Sequence, residues 1–131
     1  MSEDLLYRER CYSVVGAAME VHRGLGPGFY ESVYQHALAH ELATRGLAFE
    51  TERRVSVKYK TWIVGEFDID LLVEDKIIVE LKAVAQLNQA HQAQAINYLA
   101  ATGLELALLI NFGEPSLRFK RVIRQPSNSF A

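Results

Sequence analysis

Apolar residues along the chain recur first at helical spacing, then at every second position, then at helical spacing again, and this succession predicts the order of elements. A helix is expected from Glu3 to Arg23, where Leu5, Tyr12, Val15 and Met19 share a face and Ser2 can cap the start. The run Gly24-Leu25-Gly26-Pro27-Gly28 ends it. A second helix runs from Phe29 to Arg45. Tyr30, Val33, Tyr34, Ala37, Leu38 and Leu42 form its stripe, and Gly46 stands where a left-handed cap belongs. From Phe49 to Tyr59 the period becomes two, with Glu50, Glu52, Arg54, Ser56 and Lys58 on the polar side of a half-exposed strand. A turn at Lys60-Thr61 leads to a strand Ile63–Val73, and an acidic turn to a strand Ile77–Val84, which together predict an antiparallel meander. A helix Leu87–Thr102, ended by Gly103, then feeds the apolar strand Leu106–Phe112, the signature of a right-handed parallel crossover. After Gly113-Glu114-Pro115 comes a last strand, Leu117–Ile123. The expected fold is α/β, a mixed central sheet flanked by helices. It forms one domain over residues 1–124, with a C-terminal tail over 125–131.

The hydrophobic pattern also predicts how the second and third strands pair. A two-residue loop at Glu74-Asp75 would set Ile69 across from Glu80 and scatter charge over both faces. A three-residue loop, Glu74-Asp75-Lys76, sets Val73 against Ile77, Leu71 against Val79 and Ile69 against Leu81, giving one wholly apolar face. Since a one-residue slip turns every side chain over, burial selects the second arrangement. The opposite face then pairs Leu72 with Ile78, Asp70 with Glu80, and Asp68 with Lys82.

Two carboxylates directly opposite repel each other. Hard oxygen ligands so placed suit Mg²⁺ or Mn²⁺. With Lys82 two residues beyond Glu80, the set resembles the acid, acid and ammonium arrangement of phosphodiester cleavage. Such a face equally suits a solvated, mutually paired surface, and an isolated Asp with Glu-x-Lys says no more than that. Asp68 shares the acidic face and could bind a second cation or pair with Lys82, and pairing is the favoured expectation.

Composition narrows the classes. The chain has 131 residues, half of them hydrophobic and 23% charged, which excludes extensive disorder. The single Cys11 excludes a disulfide framework and reads as a small buried hydrophobe. No apolar run approaches the roughly 20 residues of a membrane span, so a soluble, cytoplasmic protein with no membrane partner is expected. The net charge of -2 means that nucleic acid could be held only by a local basic patch, bound cations or an oligomer. Arg53, Arg54, Arg118, Lys120, Arg121 and Arg124 are candidates for backbone contact, and a homodimer is left open.

Further residues converge on the acidic pair. Glu31 falls in the first turn of the second helix, where the helix dipole alone would favour it. Gln94 and Tyr98 are four apart on the third helix and share a face, with core packing the simpler reading of Tyr98. His91 is one turn before Gln94, within reach of a phosphate. His22, near the end of the first helix, suits the dipole there.

At this point a family resemblance emerges. Gly28-Phe29-Tyr30-Glu31-Ser32-Val33-Tyr34 fits Gly-x-x-Glu-x-x-Tyr. Asp70, Glu80-Leu81-Lys82, Gln94-Ala95-Ile96-Asn97-Tyr98 and Leu109-Ile110-Asn111-Phe112-Gly113 follow in order. The chain resembles the GxxExxY family of the PD-(D/E)XK nuclease superfamily from about Leu5 to Arg124, and the Gln-x-x-x-Tyr element resembles that of RecB-type exonucleases. The resemblance implies an α-β-β-β-α-β core and a metal-dependent nuclease acting on DNA. It implies Mg²⁺ or Mn²⁺ held by Glu31, Asp70, Glu80 and the carbonyl of Leu81. Lys82 would orient or activate the attacking water, with Gln94 supporting Lys82 or substrate. Tyr34, His91 and Tyr98 would contact substrate. The superfamily's Pro before the strand Asp is replaced by Ile69, a departure it tolerates. The alternative is a catalytically silent module that keeps the fold for nucleic-acid or protein binding.

Overall fold

A computed structural model describes residues 6–124. Its elements are α1 (Arg8–Leu25), α2 (Glu31–Thr44), β1 (Phe49–Tyr59), β2 (Trp62–Val73), β3 (Ile77–Lys82), α3 (Gln89–Thr102), β4 (Leu106–Asn111) and β5 (Arg118–Ile123). The strands form one sheet in the order β1-β2-β3-β4-β5. Only β3 and β4 are parallel, and α3 makes the crossover between them. This is the expected α/β architecture with a mixed sheet. The suggested cap Ser2, the stripe residue Leu5 and the tail 125–131 lie outside the described residues.

Helices α1 and α2 cover one face of the sheet. There Leu71, Val73, Ile77, Val79, Leu81, Leu106, Leu108 and Ile110 pack with Tyr34, Leu38, Leu42 and Phe112 into the larger core. Helix α3 covers the other face, where Ile69, Leu72, Ile78, Ala107 and Val122 meet Ala95 and Leu99 in a smaller one. Strands β3 and β4, wedged between these layers, are buried on both sides, as central parallel strands must be.

Helix α1 does not bury the stripe read from the sequence. Tyr12 and Met19 are exposed, and Cys11, Val14, Ala17, Ala18 and Val21 face the core instead. The small side chains allow close packing on α2 and the sheet, whereas periodicity weighted by bulk selects the wrong face. Tyr30, expected in the α2 stripe, is the exposed N-cap residue.

The β2–β3 loop is the three-residue Glu74-Asp75-Lys76, and Val73↔Ile77, Leu72↔Ile78 and Leu71↔Val79 pair as expected. Beyond Leu71 the pairing stops. Ile69 packs on the α3 side with Leu72, not on the Leu71 side beside Leu81 as alternation required. The parity changes at Asp70. On the other flank Glu52 adopts φ 52, a left-handed conformation rare in strands, and the β1–β2 pairing resumes on either side of it without a shift. The local twist turns β2 away from β3 just where the acidic residues stand.

Candidate metal centre

The gap between β2 and β3 is closed by side chains. The Asp70 amide donates to Glu80 Oε1 at 3.2 Å, and the Leu81 amide donates to Asp70 Oδ2 at 2.8 Å. Each carboxylate thus takes the place of a ladder carbonyl, so that backbone donors freed by the divergence stay paired. Gln35, one turn into α2 from Glu31, donates from Nε2 to the Asp70 carbonyl at 2.9 Å and fixes the kinked residue from the third side.

The pair is electrostatically costly. Glu80 is 4% exposed. Burial first, then the Asp70 charge, push its carboxyl from 4.5 up to about 8, against the opposing pull of the Asp70 amide and Lys82. Asp70 is also raised, mainly by burial and partly by Glu31, while the Leu81 amide pulls the other way. Two acids that favour protonation in the same niche are a good match for a hard divalent cation, which would replace the proton and relieve the repulsion.

Glu31 is exposed at the start of α2. Its charge reaches both acids, but among the described residues no group of three or more His, Cys, Asp or Glu is gathered closely enough to hold a metal ion. The structure brings Asp70 and Glu80 together and leaves Glu31 standing off.

Lys82 projects toward α3, where its Nζ donates to Gln94 Oε1 at 3.0 Å. It does not meet Asp68. That carboxylate accepts from Arg54 Nε at 2.9 Å, which holds it below the usual range and leaves Lys82 to the buried side of the sheet. Tyr98 is half-buried, its ring stacked on Phe67 with centroids 3.9 Å apart. Burial and then the charges of Glu80, Asp70 and Asp68 raise its phenol. Tyr98 therefore packs, the simpler reading, and also feels the charges of the acids.

Of two expected substrate contacts, one is buried and the other also caps a helix. Tyr34 is fully buried, its ring stacked on Phe112 with centroids 4.5 Å apart. Its hydroxyl donates to the Gly26 carbonyl and accepts from the Phe29 amide at 3.2 Å. The residue cannot reach substrate; it pins the glycine-rich loop ahead of Glu31. His91 closes a capping box on α3, its Nδ1 accepting from the Asn88 amide and its own amide donating to Asn88 Oδ1, both at 3.1 Å. His22 Nε2 lies 2.9 Å from the Glu114 carbonyl.

Asn111 belongs to the Leu109-Ile110-Asn111-Phe112-Gly113 motif, but the sequence assigns it no role, although a polar residue ending an apolar strand is a visible signal. Fully buried, it donates from Nδ2 to the Val84 carbonyl and accepts from the Val84 amide, clamping the segment that leaves Lys82. Gly113 seals the same contact, since a Cβ there would lie 2.3 Å from the Val84 carbonyl. Of the expected backbone-binding cations, Arg53 is paired with Glu50 at 2.8 Å, Arg54 with Asp68, and Arg118 with Glu114 at 3.7 Å. Arg121 donates to the Leu6 carbonyl at 2.8 Å.

A kinked strand Asp, a Glu-x-Lys on its neighbour and a helix Gln on the Lys form an ordered set, and the family model of the PD-(D/E)XK nuclease superfamily matches residues 8–122. The chain belongs to the PD-(D/E)XK nuclease superfamily. Among solved structures, the crystal structure of SSO0001 is similar with a TM-score of 0.58 and 14% identity. The match covers 94% of this chain and 62% of that one, so this superfamily member spans under two thirds of its structural relative. At that identity the likeness concerns the fold. No curated protein matches the chain. Among the described residues no helix is long and apolar enough to cross a membrane.

Proposed function

We propose that this superfamily member is a metal-dependent nuclease that hydrolyses DNA phosphodiester bonds. The observation that carries the reading is the Asp70–Glu80 pair at the end of the β2–β3 ladder, with Lys82 beside it on Gln94. Asp70 and Glu80 would hold Mg²⁺ or Mn²⁺, with the Leu81 carbonyl as a neutral ligand and Glu31 adding charge from the rim. When bound, the ion supplies Lewis-acid polarisation of the phosphate and a water of lowered pKa.

The chain's own residues do the rest. The amides of Asp70 and Leu81 fix one oxygen of each carboxylate and leave the other for a ligand. Gln94 restrains the Lys82 ammonium, which orients the attacking water and offsets the negative charge that develops on the phosphoryl oxygens. Tyr98, stacked on Phe67 beside the acids, borders the space a scissile nucleotide would enter. The test is Mn²⁺-dependent cleavage of single- and double-stranded DNA by the wild type, Glu80→Gln and Lys82→Ala. Cleavage by the wild type, lost in both variants, is expected; equal cleavage by all three would overturn the assignment.

One observation favours a second reading, a silent module that binds without cleaving. Among the described residues Glu31 does not close on the pair, so only two acidic side chains are gathered to hold an ion. Calorimetry with Mn²⁺ separates the two: a nuclease binds the ion in the micromolar-to-millimolar range and loses it in Asp70→Asn, whereas a silent module shows no binding in either.

A further inference from the structure

The hairpin of β1 and β2 reaches past the rest of the sheet, and its tip breaks the usual rule for exposed surface. Tyr59 and Trp62 pair across the strands and are 62% and 73% exposed, next to the exposed Ile63 and Val64. The tip also carries Lys58 and Lys60, which take part in none of the ion pairs found among the described residues. Lys60, left-handed in the turn at φ 56, holds its Nζ 5.4 Å from the centre of the Tyr59 ring. Aromatic planes interleaved with ammonium groups outside those ion pairs have a defined chemical match: unstacked bases joined by phosphates.

The space between the tip and the acidic site is open. An open groove of about 640 Å³ runs between the hairpin and α3, lined by Ser56, Lys58, Phe67, Asn97 and Tyr98. One end is the stacked Phe67–Tyr98 pair, whose phenol feels Glu80, Asp70 and Asp68. The other end is Lys58, at the tip. A register shift between Val57 and Lys58 bends the hairpin there. Trp62 precedes Asp70 by eight residues on one strand, roughly 26 Å at about 3.3 Å per residue, a length that about eight stacked nucleotides would span. The paired arginines nearer the sheet contribute little net charge, so the two lysines dominate the field at this end.

We propose that the β1–β2 hairpin tip is a single-strand binding site, on which bases stack against Trp62 and Tyr59 while Lys58 and Lys60 take the adjoining phosphates. The groove then leads the strand to the acidic pair. This deepens the nuclease reading and rests on it for the strand's destination. The requirement for exposed base planes selects single strands over duplex, whose bases are already stacked on one another.

Trp62 is the chain's one tryptophan, so its fluorescence reads the site directly. The probe is a thymine oligonucleotide titrated into the full chain in EDTA, where binding is measured without metal-dependent cleavage. Quenching is expected in the wild type; by anisotropy of the same oligonucleotide carrying a fluorophore, affinity should be about 10-fold weaker in Trp62→Ala and largely kept in Trp62→Phe, the scale of one stacked base. Lys58→Ala with Lys60→Ala should lower the salt slope by about 1.4, the share of two single-strand phosphates. Wild-type affinity in Trp62→Ala, or binding without quenching, overturns the proposal. So does equal quenching by duplex, quenching by anionic vesicles but not by the oligonucleotide, or self-association that Trp62→Ala abolishes. A wild type that cleaves in Mn²⁺ with Trp62 unaffected removes this inference alone. A wild type that binds through Trp62 and never cleaves removes the nuclease reading alone.

Discussion

The two faces of the central sheet do different work, and β3 shows it within six residues. Ile77, Val79 and Leu81 turn toward α1 and α2, into a core with no charged member. Ile78, Glu80 and Lys82 turn toward α3, where apolar packing gives way after Ile78 to a buried acid and a hydrogen-bonded ammonium. The first face is closed by shape alone. The second is held by hydrogen bonds from backbone amides to the acids and from Lys82 to Gln94. Alternation in a strand therefore separates an apolar face from an acidic, hydrogen-bonded one within a single peptide unit, and neighbouring residues can be tested against each other.

The sharpest test exchanges adjacent residues. Lys82→Ala is expected to lower cleavage by about 10²–10³-fold, the usual loss on removing a charge-stabilising donor, with an unchanged melting temperature. Leu81→Ala is expected to do the reverse. It removes a fully buried side chain and should cost about 2–5 kcal/mol in urea unfolding, while the fraction still folded keeps its metal affinity. If both variants lose stability equally, the division between faces fails.

A second test uses pH. The folded state raises the Glu80 carboxyl from 4.5 to about 8, so it favours the protonated form. In EDTA the resulting contribution to stability is full below 4.5 and is lost as the pH rises through about 8. Glu80→Gln should flatten that decline and stabilise the apoprotein by roughly a few kcal/mol at alkaline pH. It should also abolish any rise in melting temperature on adding Mn²⁺. Thermal melts between pH 4 and 9, with EDTA or Mn²⁺, measure both effects.

Smaller effects test the supports. Asn111→Leu leaves the Val84 amide and carbonyl unpaired and should cost about 2–3 kcal/mol. Tyr34→Phe keeps the stack on Phe112 but removes the two hydrogen bonds that pin the glycine-rich loop, for a loss of about 1 kcal/mol. Hydrogen exchange should then quicken at Phe29 while β3 stays protected. Unchanged exchange at Phe29 would show that the loop holds itself.

The sequence carried much of this division. Only a three-residue loop could bury Val73, Ile77, Leu71 and Val79 together, and that pairing is observed. Ile69 escaped the same logic because alternation assumes a regular strand, and the change of parity at Asp70 has no apolar signature. Helix α1 was misread at Tyr12 and Met19 because it is apolar on two sides, and the small residues Ala17 and Ala18 win the core by fitting. The Gly-x-x-Glu-x-x-Tyr motif marked the start of α2, but only burial reveals that Tyr34 props the loop. Lys82 pairs across elements with Gln94, and Asp68 with Arg54. Which partner each long side chain finds depends on the twist of β2, which no local pattern specifies.

The substitution of carboxylates for ladder carbonyls has a spectroscopic consequence. The amide protons of Asp70 and Leu81 point at acidic oxygens, so their resonances should move with whatever those oxygens bind. A magnetic-resonance titration would see ligand arrival at two peptide groups in the middle of the sheet, and the lattice of strands would act as its own indicator dye.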